Sequence, residues 1–380
     1  MIKFKKGIKL SAKKIIISGG GSGGHIFPAI SIANALKQID SNIDILFIGA
    51  LGKIEMEKVP KAGYLIEGLW ISGFHRKKLW RNILFPIKLL SSLLKARRII
   101  KRFNPDVVVG VGGFASGPTL RIASGMKIPT LIQEQNSYAG MTNRLLASSV
   151  DKVCVAYPEM ENTFPAEKII FTGNPVRLSI LDLKASRDMA AKHNGFDSTK
   201  PIVLLIGGSL GASSLNKVMA KNTAFFENHL EVQILWQCGS LYLEEYENCA
   251  TAQLKNVKVT AFIDRMDLAY SMSDVIIARA GAGTIAELMV VAKPVILVPS
   301  PNVAEDHQTY NANALVKEEA ALMVADKDIE QGLFPTLIEL LSDDQVKAKM
   351  ELKLKSLAIT DAAERISKEV LKLADQKVRL

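Results

Sequence analysis

A hydrophobic strand followed by a glycine-rich turn and a helix opens this chain, and the same pattern recurs near residue 200. The first copy reads KKIIISGGGSGGHIFPAISIANAL and the second reads PIVLLIGGSLGASSLNKVMAKN. Strands that are apolar on both faces are typical of a parallel sheet covered by helices, and parallel strands need long, usually helical, crossovers. A chain that carries the pattern twice is predicted to fold into two α/β domains, one for each copy.

Short β-branched runs alternate with helix-length segments along almost the whole chain. The predicted strands are 13–18, 43–48, 106–110, 129–133, 152–156, 168–172, 201–206, 231–236, 257–261, 274–278 and 294–298. The stretch FTGNPVR between the two series holds the glycine and proline typical of a linker. We therefore expect two Rossmann-like domains facing each other across a cleft, the first over 1–174 and the second over 175–356. An amphipathic helix within 357–380 is expected to complete the first domain.

Four glycine-rich turns follow predicted strands, and we name them loops A, B, C and D: residues 19–24, 110–118, 207–212 and 278–283. Such a turn lets the backbone approach an anion, while the helix behind it presents free N–H groups and a positive dipole end. Loop A satisfies the dinucleotide fingerprint G-x-G-x-x-G. However, the next predicted strand does not end in the acid that a dinucleotide ribose requires, which disfavours a nicotinamide or flavin site.

The cysteines and the apolar runs indicate where the protein works. Cys154, Cys238 and Cys249 share no metal-type spacing, which predicts free thiols in a reducing compartment. The N-terminal stretch lacks the apolar segment of a signal peptide, and no run is long enough to span a bilayer. We expect a cytoplasmic protein.

All of the formal net charge of +10 is accounted for by one window of the chain. Between Glu67 and Asp106 there are ten Lys or Arg residues and no acid. In the helix predicted over 84–103, one stripe is apolar and the opposite face is basic. Cations mixed with exposed aromatic and aliphatic side chains suit docking on an anionic membrane leaflet. A merely solvated basic face and nucleic-acid binding are the alternatives, although no nucleic-acid-binding module is recognisable. The residues assigned to the membrane are Phe74, Leu79, Trp80, Arg81, Ile83 and Phe85.

Eight short motifs occur in a fixed order: GGGSGGHIFPAIS, GVGGFASGP, QEQNSYAGMTNR, GNPVR, GGSLGA, FIDRM, RAGAGTIAEL and AEDHQTYNA. Together they resemble the MurG family of bacterial N-acetylglucosaminyltransferases, over most of the chain. The resemblance implies the GT-B fold, with the acceptor site in the N-terminal domain and the donor nucleotide in the C-terminal domain. It implies transfer of N-acetylglucosamine from UDP-N-acetylglucosamine to the C4 hydroxyl of the muramoyl unit of lipid I. The transfer inverts the anomeric centre and needs no cofactor and no active-site metal.

The lipid-linked acceptor of that family accounts for the basic window. The resemblance implies a peripheral protein on the cytoplasmic face of the bacterial inner membrane, with the anionic leaflet and other cell-wall synthesis proteins as partners. Nucleic acid is not expected as a partner.

The resemblance also implies the donor-binding residues. Ser209 lies at the phosphates with the loop C amides, Ile263 contacts uracil through its backbone, and Glu287 takes the ribose hydroxyls. Gln308 and Asn311 read the sugar hydroxyls. The full donor set is Ser209, Gly208, Gly211, Ile263, Ala282, Gly283, Glu287, Gln308, Asn311 and Arg177.

On the acceptor side, the resemblance implies roles for His25, Glu134 and Asn136. His25 is favoured as the general base, because imidazole titrates near pH ~6.5, and Glu134 is its rival. The acceptor-binding set is Ser22, Gly23, Gly24, Gly112, Gly113, Phe114 and Asn136. Ser22 and Phe114 depart from the family, in which threonine and tyrosine are common at these places, and this leaves the details of acceptor binding open.

An Asp-Lys-Asp string at 326–328 looks like the metal-binding pair of other transferases. It stands directly before a helix-like segment, where aspartate more often caps the helix, so no metal site is predicted there.

Two other functional classes are compatible with parts of the pattern. One is a different enzyme of UDP-N-acetylglucosamine, such as a 2-epimerase or a transferase to another acceptor, for which a basic apolar patch would have no use. The other is a non-catalytic, membrane-bound nucleotide-sugar sensor. The joint presence of His25, Glu287 and Gln308 argues against the sensor.

Overall fold

The computed structural model describes residues 12–21, 23–73, 79–208, 210–303 and 306–377. The chain divides into two compact units. The first unit takes in the described residues up to Glu134, Ala139–Thr172 and the residues from Ala363 onward, and the second takes in Gln135–Tyr138 and Gly173–Ala362. The boundary predicted at 174/175 therefore lies at 172/173, and residues 357–362 belong to the second unit.

The first unit is built on a parallel sheet. Its strands are β1 (Lys14–Ser18), β2 (Asp44–Ala50), β3 (Leu65–Leu69), β4 (Val107–Gly110), β5 (Thr130–Glu134), β6 (Lys152–Val155) and β7 (Ile169–Phe171). Their order in the sheet is β3-β2-β1-β4-β5-β6-β7, and neighbouring strands are parallel throughout.

The second unit repeats this plan. Its strands are β8 (Ile202–Ile206), β9 (Gln233–Gln237), β10 (Val257–Thr260), β11 (Val275–Ala278), β12 (Val295–Leu297) and β13 (Leu322–Met323). They are also all parallel, in the order β10-β9-β8-β11-β12-β13. The predicted α/β class with two parallel sheets is thereby confirmed.

Two strands were missed by the sequence prediction, and both lie at sheet edges. β3 reads LIEGL and is only partly buried, so it lacks the uninterrupted apolar run of the central strands. β13 has two residues, which is too short to give a pattern.

Helices connect the strands. They are α1 (Gly23–Ile39), α2 (Glu55–Lys61), α3 (Phe85–Phe103), α4 (Ser116–Gly125), α5 (Met141–Leu146), α6 (Leu178–Leu181), α7 (Arg187–Asn194), α8 (Ser213–Lys221), α9 (Thr223–Asn228), α10 (Leu243–Tyr246), α11 (Met266–Met272), α12 (Ala282–Val291), α13 (His307–Lys317), α14 (Ile329–Ser342), α15 (Asp344–Leu357) and α16 (Ala362–Lys377). The longest described helix, α3, has Pro86 in its first turn and ends at Asn104 in the left-handed conformation.

The C-terminal helix α16 packs on the first unit. Ile366, Val370 and Leu373 are at most 3% exposed and join the core that contains Ile15 and Ile17 of β1. Full burial of an aliphatic side chain stabilises a fold by roughly 1.5–3 kcal/mol. The end of the chain is therefore part of the first unit's core, in agreement with the amphipathic stripe seen in the sequence.

The thiol of Cys154 on β6 predicts a loss of stability at alkaline pH. Its burial, with a smaller contribution from the charge of Glu369 on α16, raises the pKa of the thiol from 9.0 to about 12. The unfolded chain releases this proton at a lower pH than the folded chain does, so stability is present below the unfolded pKa and falls as pH rises towards the folded pKa. We expect the free energy of unfolding to decrease by up to about 1.4 kcal/mol per pH unit above about pH 9.

Urea unfolding of the wild type and of Cys154→Ala at two alkaline pH values measures this contribution. The variant should show the shallower pH dependence, and Cys249→Ala, which removes a less buried thiol, should behave like the wild type. Equal slopes for the wild type and Cys154→Ala would contradict the prediction.

Candidate active site

The four glycine loops lie at the points where strand order reverses. β1 lies between β2 and β4, and β8 lies between β9 and β11. Loops A and B therefore follow neighbouring strands of the first unit, while loops C and D follow neighbouring strands of the second. In open α/β sheets, ligands bind at this switch point, beyond the carboxyl ends of the strands.

His25, in the first turn of α1, lies against loop B. Gly112 has a φ of +87°, and a Cβ atom on it would come within 2.8 Å of Cδ2 and 2.9 Å of Nε2 of the imidazole. Glycine at this position therefore permits both the backbone turn and the close approach of the ring. The half-buried imidazole is thereby placed at the first unit's switch point.

Loops A and B pack directly on each other. A Cβ atom on Gly113, whose φ is +83°, would lie 2.0 Å from the carbonyl oxygen of Gly20. The ring of Phe114 covers Gly21, because a Cβ atom there would lie 2.7 Å from Cε2. Phe114 is thus a packing residue of loop A, which is consistent with an apolar side chain where the family commonly has tyrosine.

Glu134, at the end of β5, is 1% exposed. Its Oε2 accepts hydrogen bonds from the backbone N–H of Gly140 (3.0 Å) and from Nδ2 of Asn143 (2.8 Å). Asn143 also approaches the His25 side of loop B, since its Nδ2 is 3.7 Å from the position of a Cβ atom on Gly112. Asn143 was not predicted as a site residue, although it lies within the motif QEQNSYAGMTNR that carries Glu134 and Asn136.

Loop C offers an open backbone in the second unit. Gly208 has a φ of +85°, and among the described residues, its chain neighbours aside, none lies within 4 Å of the position of a Cβ atom on it. Gly211 differs, because its N–H donates to the carbonyl of Gly208 (3.0 Å) and a Cβ atom on it would overlap the carbonyl oxygen of Cys238 at 2.1 Å. Gly211 therefore shapes the turn, and its N–H is already used within it.

Loop D leads into the N-terminus of α12. Gly281 precedes the helix without a side-chain cap, and no other part of the described chain comes within 4 Å of the position of a Cβ atom on Gly283, apart from its neighbours and the helix backbone. The first backbone N–H groups of a helix have no partner within the helix. The turn of Ala282 and Gly283 can therefore donate to an anion or a hydroxyl.

Glu287 of α12 forms a bidentate ion pair. Arg177 donates from Nε to Oε1 (2.7 Å) and from Nη2 to Oε2 (2.8 Å), and the hydroxyl of Tyr270 donates to Oε2 (3.1 Å). Burial alone would lower the pKa of the Arg177 guanidinium, but the hydrogen bonds and charge of Glu287 raise it above its ordinary value. Burial, followed by the charge of Glu287, raises the pKa of Tyr270 well above its usual range. The hydroxyl therefore stays protonated and donates to the carboxylate.

Helix α13 carries Gln308 and Asn311 in different environments. Gln308 is half-buried, and its Oε1 accepts a hydrogen bond from the N–H of Ser300 (2.8 Å). This bond fixes the orientation of the side-chain amide, whose Nε2 can donate a hydrogen bond. Asn311 is fully buried. Its Oδ1 accepts from N and Oγ of Ser137, both at 3.0 Å, and its Nδ2 donates to Ala280 (3.2 Å) and to Oδ1 of Asn136 (3.3 Å).

The amide of Asn311 is therefore engaged on both sides in this structure. Asn311 thereby holds the segment 135–138, including Asn136, within the second unit, and its role towards a sugar hydroxyl stays a prediction. Tyr138 and Tyr310 stack beside it, with ring centroids 5.5 Å apart.

The Asp-Lys-Asp string has a structural role in the second unit. Asp326 accepts from Nη1 of Arg279 (2.6 Å) and from Oγ of Ser214 (2.5 Å), while Asp328 precedes α14 without a side-chain capping bond. Nη1 of Arg279 also donates to the carbonyls of residues 298 and 299, next to the residue that binds Gln308. The prediction that an aspartate side chain caps α14 is therefore wrong. Arg279, which was not predicted as a site residue, links the string to the segment that holds Gln308.

Some predicted residues lie outside the described residues. They are Ser22, Phe74 and Ser209, together with the side chains of Leu79 and Arg81. Of the others, the side chain of Ile263 is 7% exposed, which is compatible with a role through its backbone.

The outward face of α3 begins apolar and ends basic. Ile87, Leu90 and Leu94 are 57%, 60% and 52% exposed, and one and two turns further on the same face carries Arg98 and Lys101. Trp80 and Ile83, just before the helix, are 72% and 81% exposed. The opposite stripe, including Ala96 and Ile100, is buried as predicted, whereas the exposed Ile87, Leu90 and Leu94 were not anticipated.

None of the described helices has the length and apolar character needed to span a bilayer.

Comparison with known proteins gives the same division into two domains. The glycosyltransferase family 28 N-terminal domain matches residues 15–155, and the family 28 C-terminal domain matches residues 202–366. The UDP-N-acetylglucosamine–N-acetylmuramyl-(pentapeptide) pyrophosphoryl-undecaprenol N-acetylglucosamine transferase of Bacteroides fragilis is 50% identical, over 96% of this chain and 97% of its own. The protein of the same name from Christiangramia forsetii is 48% identical, over 96% of this chain and 99% of its own.

Solved structures agree. The crystal structure of Acinetobacter baumannii MurG is 30% identical with a TM-score of 0.75, over 95% of this chain and 99% of its own. A UDP-GlcNAc 2-epimerase from Neisseria meningitidis reaches a TM-score of 0.69 at 15% identity, over 95% of this chain and 100% of its own, and so shares the fold alone.

Two parallel α/β units with glycine loops at both switch points, matched by both domains of family 28, define a glycosyltransferase of the GT-B class. At about half identity over nearly its full length, the chain belongs to the MurG family of N-acetylglucosamine transferases. The fold and the family expected from the motifs are both confirmed.

Proposed function

We propose that this chain transfers N-acetylglucosamine from UDP-N-acetylglucosamine to the C4 hydroxyl of the muramoyl unit of lipid I, forming lipid II for peptidoglycan synthesis. The observation that carries the proposal is the 50% identity with the Bacteroides fragilis transferase along 96% of the chain, because it spans both family 28 domains. The same observation disfavours the 2-epimerase alternative, whose structural relative shares only 15% identity.

The second unit binds the donor. The open backbone at Gly208 and the first turn of α12 offer N–H donors, and the positive end of the helix dipole favours a diphosphate. Donors fixed in place stabilise the charge that develops on the leaving UDP without reorganising during the reaction. Glu287 keeps acceptor capacity on Oε1 for a ribose hydroxyl, while Arg177 and Tyr270 hold the carboxylate in position.

The first unit binds the acceptor, and His25 removes the proton from its C4 hydroxyl. Geometry supports His25 over Glu134. The Glu134 carboxylate is 1% exposed and already receives two hydrogen bonds, whereas the imidazole is half-buried at the switch point. A general base must come within hydrogen-bonding distance of the proton it takes. Glu134 acts instead through Asn143, which it holds beside loop B.

Incubation with UDP-N-acetylglucosamine and a short-chain lipid I analogue tests the reaction. The expected products are a lipid-linked disaccharide and UDP in equal amounts, with UDP-N-acetylgalactosamine a poor donor. Formation of the 2-epimer of the sugar nucleotide without acceptor would overturn the proposal, and so would UDP release that does not depend on acceptor.

The basic window docks the protein on an anionic membrane surface. The apolar start of the α3 face can enter the interfacial region while Arg98 and Lys101 meet lipid phosphates. Exposed apolar side chains suit the acyl-chain boundary of a bilayer, and the neighbouring cations suit a negatively charged surface. An anionic leaflet supplies both.

Replacing both Ile87 and Leu90 by glutamate is expected to reduce co-sedimentation with phosphatidylglycerol vesicles by about tenfold or more. The reason is that each side chain loses roughly 1.5–3 kcal/mol of apolar transfer and each new charge is repelled. Leu352→Glu is the matched control, since Leu352 is a 71% exposed leucine on α15 of the other unit. Wild-type binding that is equal on neutral and anionic vesicles would contradict the docking model.

A further inference from the structure

Asp326 of the Asp-Lys-Asp string forms a largely buried ion pair with Arg279. The two side chains are 19% and 14% exposed, and Nη1 of Arg279 lies 2.6 Å from Oδ1 of Asp326. Ser214 joins the pair, because its Oγ donates to the same Oδ1 (2.5 Å) and accepts from Nη2 of Arg279 (2.6 Å). A guanidinium with so little access to water needs a charged partner, so the carboxylate determines where the guanidinium lies.

Arg279 lies at the switch point of the second unit. It directly follows β11, which lies between β8 and β12 in the sheet. On one side, Ser214 is the second residue of α8, directly beyond loop C. On the other side, Nη1 of Arg279 donates to the carbonyls of Val298 (3.0 Å) and Pro299 (3.1 Å), which directly follow β12. Arg279 thus joins the carboxyl ends of three neighbouring strands.

The segment 298–300 orients the side chain of Gln308, and it depends on Arg279. Pro299 has no N–H, so the chain loses a backbone donor directly beyond β12. The carbonyls of residues 298 and 299 accept from the guanidinium instead, and the next N–H, that of Ser300, donates to Oε1 of Gln308 (2.8 Å). The orientation of this amide therefore depends on the carboxylate that holds the guanidinium.

Loop C has backbone bonds of its own and depends less on the ion pair. The N–H of Gly207 donates to the carbonyl of Gln237 (3.2 Å), and the N–H of Gly211 donates to the carbonyl of Gly208 (3.0 Å). Loss of the ion pair should therefore displace the segment 298–300, and the amide that it orients, more than the turn that is proposed to bind the diphosphate.

We propose that Asp326 is a positioning residue for donor specificity. Through Arg279 it holds the segment 298–300, and thereby keeps the amide of Gln308 where it selects the sugar of the donor. N-acetylglucosamine and N-acetylgalactosamine differ only in the configuration of the C4 hydroxyl. A site built to hydrogen-bond hydroxyls separates such isomers because the wrong one leaves buried polar groups unpaired, and a displaced amide separates them less well. The inference rests on the proposed function, which supplies the donor and the role of Gln308.

Competition binding without acceptor tests the inference independently of turnover, with UDP, UDP-N-acetylglucosamine and UDP-N-acetylgalactosamine as ligands. In Asp326→Ala, the preference for the first sugar nucleotide over the second should fall by about tenfold, the size of one hydrogen bond, while the Kd of UDP stays within about threefold. Asp328→Ala is the matched control, since Asp328 is exposed and its side chain makes no capping bond, and it should keep the wild-type preference. An unchanged preference in Asp326→Ala, or an equal weakening of all three ligands, overturns the inference.

Asp326→Asn keeps the inference testable if the alanine variant does not fold. The amide preserves the volume and one acceptor oxygen but loses the charge, and charge-assisted hydrogen bonds are about twice as strong as neutral ones. With a lipid I analogue as acceptor, kcat/KM for UDP-N-acetylglucosamine should fall by about threefold to tenfold, while that for UDP-N-acetylgalactosamine stays within about twofold. A merely structural role would lower both values equally, and that result overturns the inference. A wild type that binds the donor selectively but forms no disaccharide would refute the proposed function and leave the binding comparison valid.

Discussion

Replacing His25 by alanine is expected to lower turnover by about 10²- to 10⁴-fold, because the reaction then lacks a positioned group to accept the proton of the C4 hydroxyl. UDP binding should remain at its wild-type value, since the proposed donor residues belong to the second unit. Steady-state assay with a lipid I analogue, combined with calorimetric titration of UDP, measures both quantities. The acid limb of the pH–rate profile should also disappear in the variant.

His193→Ala is the matched control for this experiment, because His193 is an exposed histidine on α7 of the second unit. It should retain full activity. Near-normal turnover of His25→Ala would reject histidine as the base. In that event, a large loss in Glu134→Gln would transfer the role to Glu134.

Replacing Gly113 by alanine is expected to have the largest effect on stability, a loss of about 3 kcal/mol or more. Its φ of +83° is strained for any residue with a Cβ atom, and that atom would lie 2.0 Å from the carbonyl oxygen of Gly20. A left-handed non-glycine residue and an overpacked contact each cost about 1–3 kcal/mol. The contact is with backbone, so it can be relieved only by separating loops A and B. The kcat should therefore fall as well, measured at a temperature where the variant remains folded.

Gly125→Ala provides the comparison. Gly125 ends α4, a few turns from Gly113 along the chain. Outside its own helix and chain neighbours, no described residue lies within 4 Å of the position of a Cβ atom on it. Chemical denaturation should give this variant wild-type or slightly higher stability, because alanine is the better helix former. If Gly113→Ala and Gly125→Ala lowered the free energy of unfolding equally, the packing of loop B on loop A would not explain the effect of Gly113→Ala.

Structural elements could be predicted from the sequence where a short stretch of residues by itself shows what the fold requires there. Central strands such as β4 and β8 are apolar on both faces because helices cover them, and this is readable as an uninterrupted run. The glycine loops are readable because tight turns and close backbone approach demand glycine. The edge strands β3 and β13 were missed because partial exposure and short length remove the pattern.

The candidate site was predicted unevenly for a related reason. Short motifs predicted that His25, Glu134, Glu287 and Gln308 belong to the site. They did not predict which atoms of these side chains form hydrogen bonds within the protein. Asn311 illustrates the difference, since its motif predicts a polar residue at the site but not its hydrogen bonds with Ser137 and Ala280. Asn143 bonds to Glu134 within its own motif, whereas the partner Asp326 of Arg279 lies 47 residues away in the sequence.

By itself, the sequence determined the α/β class, the two-domain plan, the glycine loops and the family, because each depends on residues close together in the chain or on motifs in order. The tertiary structure alone decided which groups meet around the glycine loops. Glu55 lies 34 residues from Gly21 in the sequence, yet its Oε2 accepts a hydrogen bond from the N–H of Gly21. Hydrogen bonds of this kind depend on where the sheet brings distant segments together, so they become visible only after folding.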